Sequence, residues 1–111
     1  MLDSDLGGFD PTSQTDFKSL LSRAQSLGAD VVFFGGTTAT KGGQIRKQMA
    51  GIIDAPYVAG DGISGNQFAK DAGANAANSY FTVAGPFPLK LATATTFNAA
   101  YKSAYSADPG P

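Results

Sequence analysis

Cysteine, histidine, tryptophan and glutamate are all absent from the 111-residue chain. Without Cys and His there is no disulfide framework, no thiolate zinc site, no Cys nucleophile and no His-based triad. All nine acidic residues are Asp, set against eight Lys and Arg, for a formal net charge of −1. That balance lacks the clustered basic charge of a nucleic-acid footprint. No apolar run approaches the roughly 20 residues that span a bilayer. Asp3 and Asp5 stand where a signal peptide would carry basic residues. These absences predict a soluble chain with no targeting signal of its own and no partner nucleic acid.

Large apolar residues are scarce as well. Eighteen of the apolar residues are Ala, while Leu, Ile, Val and Phe together number 23. That places the chain close to the ~20% below which highly charged chains tend to disorder, and only its low charge moves it away from that class. Fourteen Gly and six Pro supply turns. The expectation is one small α/β unit with a thin core, inclined to lean on something else for stability.

Along the chain, strand and helix patterns alternate. Residues 1–14 are acidic and without period, with Leu2, Leu6 and Phe9 scattered through them. Thr15 is placed to cap a helix carrying Phe17, Leu20, Leu21, Ala24 and Leu27 at helical spacing, closed by Gly28. Val31-Val32-Phe33-Phe34 reads as a strand apolar on both faces, ending in Gly35-Gly36. A helix from about Gly42 to Ala50, a strand at Tyr57–Ala59 ending in Gly60-Asp61-Gly62, and a short helix follow. Ser64 and Gln67 form the capping-box pattern of that short helix. Ser79–Ala84 reads as a strand ended by Gly85-Pro86. A last helix from about Leu91 to Ser106 sets Ala94, Phe97, Tyr101 and Ala104 on one face.

This order predicts a three-layer αβα fold with a mainly parallel sheet, flavodoxin-like or Rossmann-like, in a single unit spanning residues 1–111. The strand-end glycine turns then share one edge, where open α/β sheets bind ligands. Asp61 is the only charged residue in those turns, and it serves either a ligand or its own turn. Thr37 and Thr38 are hydroxyl donors beside it, or else caps of the next helix. Lys41, Arg46 and Lys47 read as a solvated basic face. Gly42-Gly43 is no phosphate loop, since the Walker spacing is missing. Phe33, Phe34, Tyr80, Phe81 and Tyr101 read as core. Asp16, Asp30 and Asp54 fall at element boundaries away from the ligand edge, which leaves no carboxylate pair for acid–base chemistry. No enzyme activity, cofactor or metal is expected.

Several of these stretches together resemble the branched-chain amino-acid binding proteins of ABC transporters. They are Asp16-Phe17 with its helix, Gly28-Ala29-Asp30-Val31-Val32-Phe33-Phe34-Gly35-Gly36, Gly43-Gln44-Ile45-Arg46-Lys47-Gln48, Gly60-Asp61-Gly62, Phe68 with Ala72-Gly73, and Phe97-Asn98-Ala99-Ala100-Tyr101-Lys102 through Asp108-Pro109. The resemblance covers roughly residues 15–109. It implies most of the second lobe of a two-lobed type I periplasmic binding protein, non-catalytic, working with a membrane permease outside the cytoplasm. It also implies a small amino acid or amide held between lobes, with Thr37 and Asp61 on this lobe's side; Gly36 and Thr38, beside them in the chain, complete the expected ligand site. Leucine-type members often carry an aromatic residue where this chain has Thr37.

Family lobes begin with a strand and helix that would precede Met1, leaving Leu2–Phe9 as a residual strand and Val31–Phe34 as an open edge. An open apolar edge is a template for another chain, so a homo-oligomer, most simply a dimer, is expected. The alternatives from other classes are a flavodoxin-like nucleotide-binding or enzyme module, and a self-associating structural fragment.

Overall fold

The computed structural model describes residue 10 and residues 12–109; the expected remnant at Leu2–Phe9 lies outside the described residues. The order is α1 (Lys18–Ser26), β1 (Val32–Phe34), α2 (Gly42–Met49), β2 (Tyr57–Ala59), α3 (Asn66–Ala72), β3 (Ser79–Phe81) and α4 (Thr95–Tyr105), with short 3₁₀ turns between them. The three strands form a parallel sheet in the order β1-β2-β3. Val32, Tyr57 and Ser79 align across it, as do Phe33, Val58 and Tyr80, and then Phe34, Ala59 and Phe81. The chain is therefore α/β, as its alternating pattern predicts.

Local chemistry sets the helix ends. At the C-terminus of α1, Gly28 takes φ +75°. Its N–H bonds to the Gln25 carbonyl, and the Ala29 N–H bonds to the Ala24 carbonyl. This is the paired closure of a Schellman motif. At the other end Thr15 is not the cap. The Asp16 carboxylate accepts the Lys18 N–H at 3.0 Å, and the Gln48 side chain accepts the Phe17 N–H at 2.8 Å. Gln48 in turn donates to the Thr15 carbonyl. A tertiary amide thus takes the work that the sequence assigns to a local hydroxyl. The capping box at Ser64 and Gln67 does not form either: Ser64 donates to the Asp61 carbonyl, and Gln67 donates to Asp71 one turn on.

Even and odd strand positions go to opposite faces, and α1, α2 and α3 cover one of them. On the covered face Phe34, Tyr57, Phe68 and Phe81 form a row of rings, with centroids 6.1, 5.8 and 4.8 Å apart. Phe17, Leu21 and Ala24 of the α1 region, Ile45 and Met49 of α2, and Phe68 and Ala72 of α3 complete a single core. Gly43 lets α2 and α3 touch: a Cβ there would sit 2.5 Å from the Asp71 Cβ and 3.0 Å from the Phe68 carbonyl oxygen. Gly42 and Gly43 are therefore packing residues. Tyr57 is wholly buried and donates to the Gly42 carbonyl at 3.0 Å, tying the central strand to the start of α2.

The other face is largely exposed. Phe33 is 70% exposed and Tyr80 59% exposed, and Val31 is half-exposed beside them. The expectation that Phe33 and Tyr80 belong to the core is wrong, because they point away from the helices that bury Phe34 and Phe81. The last helix starts at Thr95, after 3₁₀ turns at Pro88–Lys90 and Ala92–Ala94, and buries none of its residues. Tyr101 is only half-buried, and it stacks between Phe97 and Tyr105 of its own helix.

The basic face expected on α2 is largely put to structural use. Lys41 takes a left-handed conformation (φ 65°) and its ammonium donates to the Gln14 carbonyl at 2.8 Å. Arg46 donates to the Ala77 carbonyl at 2.6 Å. Lys47 alone of the three is exposed.

Candidate functional site

The carboxyl ends of three parallel strands open on one edge of the sheet. The chain leaves β1 through Gly35-Gly36 into the 3₁₀ turn Thr38–Thr40, and leaves β2 through Gly60 into a second 3₁₀ turn, Asp61–Ile63. It leaves β3 through Thr82–Phe87, where the Thr82 N–H still pairs with the Ala59 carbonyl.

The first two loops are in contact. The Thr38 hydroxyl donates to the Gly62 carbonyl at 3.2 Å. A Cβ on Gly62 would lie 3.1 Å from the Gly36 carbonyl oxygen and 3.3 Å from the Thr37 methyl carbon. A residue with a side chain at position 62 would push the loops apart. Gly36, Thr37 and Thr38 therefore sit beside Asp61-Gly62, although they lie about 25 residues apart in the chain. Thr37 itself is held by its own turn, its N–H bonding to the Thr40 hydroxyl at 2.8 Å.

Asp61 is exposed at the start of its turn. Its side lines a cleft of about 420 Å³ with Ser64 and the β3 exit, Val83, Ala84, Gly85, Pro86 and Phe87. One wall thus offers a carboxylate and a hydroxyl, and the other offers apolar surface. Thr37 and Thr38 adjoin this cleft through Gly62 without lining it. Sequence reasoning places Gly85-Pro86 at the edge but misses Ser64 and Val83–Phe87 as cleft residues. The strand expected over Ser79–Ala84 ends at Phe81, which frees Val83 and Ala84 to line the cleft.

Elsewhere the surface offers less. A broader concavity, about 960 Å³, runs over α1, α2 and α3 and is lined by Asp16, Lys18, Lys47, Lys70 and Asp71 among others. Its three Lys and two Asp are of mixed sign and leave a net of only +1, so it presents no concentrated field to an anion or a cation. Asp10, with its carboxyl held down at about 2 by bonds from the Ser13 and Thr12 hydroxyls, closes a turn remote in role from the cleft. Burial pushes the Tyr57 phenol up, against a smaller opposing pull from Arg46, and keeps it a hydrogen-bond donor in the core. Among the described residues no group of three or more acidic side chains is gathered to hold a metal ion. No described helix is long and apolar enough to cross a membrane. No family model and no curated protein matches the chain.

Proposed function

We propose that the chain is a non-catalytic ligand-binding lobe that takes a small amino acid at the carboxyl edge of its sheet. On this reading it is part of a type I solute-binding protein of an ABC-type uptake system, in which a facing lobe closes over the ligand. The observation that carries the proposal is the cleft with Asp61 and Ser64 on one wall and Val83, Ala84, Pro86 and Phe87 on the other. A carboxylate pairs with an α-ammonium group, the Ser64 oxygen, whose own O–H goes to the Asp61 carbonyl, accepts a second bond, and the apolar wall takes an aliphatic side chain. Gly36, Thr37 and Thr38 extend the polar rim. The three-layer αβα architecture, the extracytoplasmic site of action and the membrane permease as partner belong to this same reading.

Affinity follows from the exposure of Asp61. An ion pair open to water contributes about 0–1 kcal/mol, and a one-sided cleft excludes little water, so binding by this chain is millimolar or weaker. Titration with leucine, isoleucine and valine, followed by amide chemical shifts, tests it. Shifts are expected at residues 61–64 and 83–87 with millimolar midpoints. Asp61→Asn is expected to weaken binding about two- to fivefold, and N-acetylleucine, which lacks the ammonium, to lose it by a similar factor. Leucinamide should bind as leucine does on this lobe. No response to about 50 mM of any of the three amino acids, or equal binding of N-acetylleucine, would overturn the proposal.

A further inference from the structure

Among the described residues two exposed apolar surfaces stand out, and they match in character. The first is the exposed sheet face, on which Phe33, Val58 and Tyr80 stand side by side across β1, β2 and β3, with Val31 beyond them. The second is the aromatic ladder of α4, in which Phe97 and Tyr101 have ring centroids 5.8 Å apart and Tyr101 and Tyr105 4.6 Å apart. Phe97 is 54% exposed and Tyr105 68%. A parallel sheet is normally covered on both faces, and an amphipathic helix is stable only with its apolar stripe buried. We propose that two copies of this chain exchange α4, each laying its Phe97–Tyr101–Tyr105 face on the Phe33–Val58–Tyr80 face of the other.

The folded connector points to a second copy, and area and charge are compatible with one. The connector is folded rather than slack. The Lys90 N–H bonds to the Phe87 carbonyl at 2.9 Å, the Ala94 N–H to the Leu91 carbonyl at 3.0 Å, and the Thr95 hydroxyl to the Ala92 carbonyl at 2.8 Å. These turns pack on one another and on α4 and carry it as an arm. The area also suits a dimer. With about 200 Å² for each aromatic side chain, the exposed parts of Phe33, Tyr80, Phe97 and Tyr105, with Val31 and Leu91, give about 650 Å² per copy, or about 1,300 Å² in all, the lower end of a standard interface. Charge does not oppose it. Lys102, paired with Asp108 at 3.0 Å, is the single charged residue of α4, and the sheet face has none. The exchange is reciprocal, so it closes with two-fold symmetry and leaves no free apolar face to propagate.

The natural absence of cysteine makes the test direct. A Val58→Cys chain and an Ala104→Cys chain, differently tagged and mixed at about 100 µM, are oxidised mildly. A disulfide between the two chains is expected, because only an exchanged α4 brings position 104 over a neighbour's β2. Sedimentation of the unsubstituted chain at the same concentration is expected to give the dimer mass. Phe97→Lys combined with Tyr105→Lys alters only exposed side chains and is expected to weaken that dimer about a hundredfold or more while circular dichroism stays unchanged. Three results would each overturn the exchange. One is a disulfide formed only within a Val58→Cys, Ala104→Cys double variant. Another is a monomeric parent chain. The third is a dimer indifferent to the two lysines.

Discussion

Replacing Gly43 by alanine sets two opposing effects against each other, and the structure decides the sign. In a helix alanine is favoured over glycine by up to about 1 kcal/mol, and less in the first turn, where Gly43 sits. Against that, the new Cβ would meet the Asp71 Cβ at 2.5 Å, the Phe68 carbonyl oxygen at 3.0 Å and the Ala72 nitrogen at 3.3 Å. Ordinary carbon–carbon contact is about 3.5–4.0 Å, so α3 must retreat by about 1 Å. Two of the three obstructing atoms are backbone, which no rotamer change can move aside. Overpacking of this kind costs typically 1–3 kcal/mol. The net expectation is a loss of about 1–2 kcal/mol. For a domain of this length that corresponds to a fall in Tm of about 5–12 °C. Urea unfolding with an unchanged m-value, alongside a thermal melt, reads it directly. A Gly43→Ala variant as stable as the parent, or more so, would show that α2 and α3 are not locked together at this point and would refute the packing argument.

Tyr57→Phe keeps the ring row and removes the bond to the Gly42 carbonyl, which is expected to cost about 1–2 kcal/mol by chemical denaturation. Because burial raises the Tyr57 pKa in the fold, the unfolded chain gives up this proton first. Stability tied to the phenol is therefore complete below its ordinary value of 10.0 and falls as pH rises above it. The Tyr57→Phe variant should lose that part of the alkaline dependence, and absorbance titration of the parent should show a tyrosine ionising well above the ordinary value that is missing in the variant. Arg46→Ala, which frees the Ala77 carbonyl from a 2.6 Å charged bond, is expected to cost about 1.5–3 kcal/mol. Lys47→Ala, one residue on and exposed, should stay within about 0.5 kcal/mol; comparable urea midpoints for the two would refute the distinction.

Much of the path of the chain is legible in its residues. The alternation of helical spacing with short β-branched and aromatic runs predicts helices and parallel strands in the observed order, and the structure has them at Lys18–Ser26, Val32–Phe34, Gly42–Met49, Tyr57–Ala59, Asn66–Ala72 and Ser79–Phe81. Gly28 is readable as a helix terminator, because a positive φ is a local demand that few other residues meet. The strand-end glycines likewise mark the edge at which Gly36, Thr37, Thr38 and Asp61 gather, since parallel strands bring their carboxyl ends together whatever lies between them.

Other features depend on which groups meet across the fold. Thr15 and Ser64 carry the right chemistry for caps. Asp16 serves the start of α1 from beside Thr15, Gln48 reaches it from 31 residues beyond Phe17, and Ser64 finds the Asp61 carbonyl nearer. Lys41 and Arg46 look like solvated charges until the Gln14 and Ala77 carbonyls arrive beside them. Phe33 and Phe34 are the same residue type in adjacent positions, and apolar character alone assigns both to a core. Strand geometry sends them to opposite faces, and only the placement of α1, α2 and α3 determines that Phe34 is buried while Phe33 meets solvent. A hydrophobic pattern records that a surface needs covering, because water disfavours it wherever it lies. What covers it is decided by the position of the covering element in space, and for the Phe33–Val58–Tyr80 face that element is not supplied by the helices packed in this chain's own core.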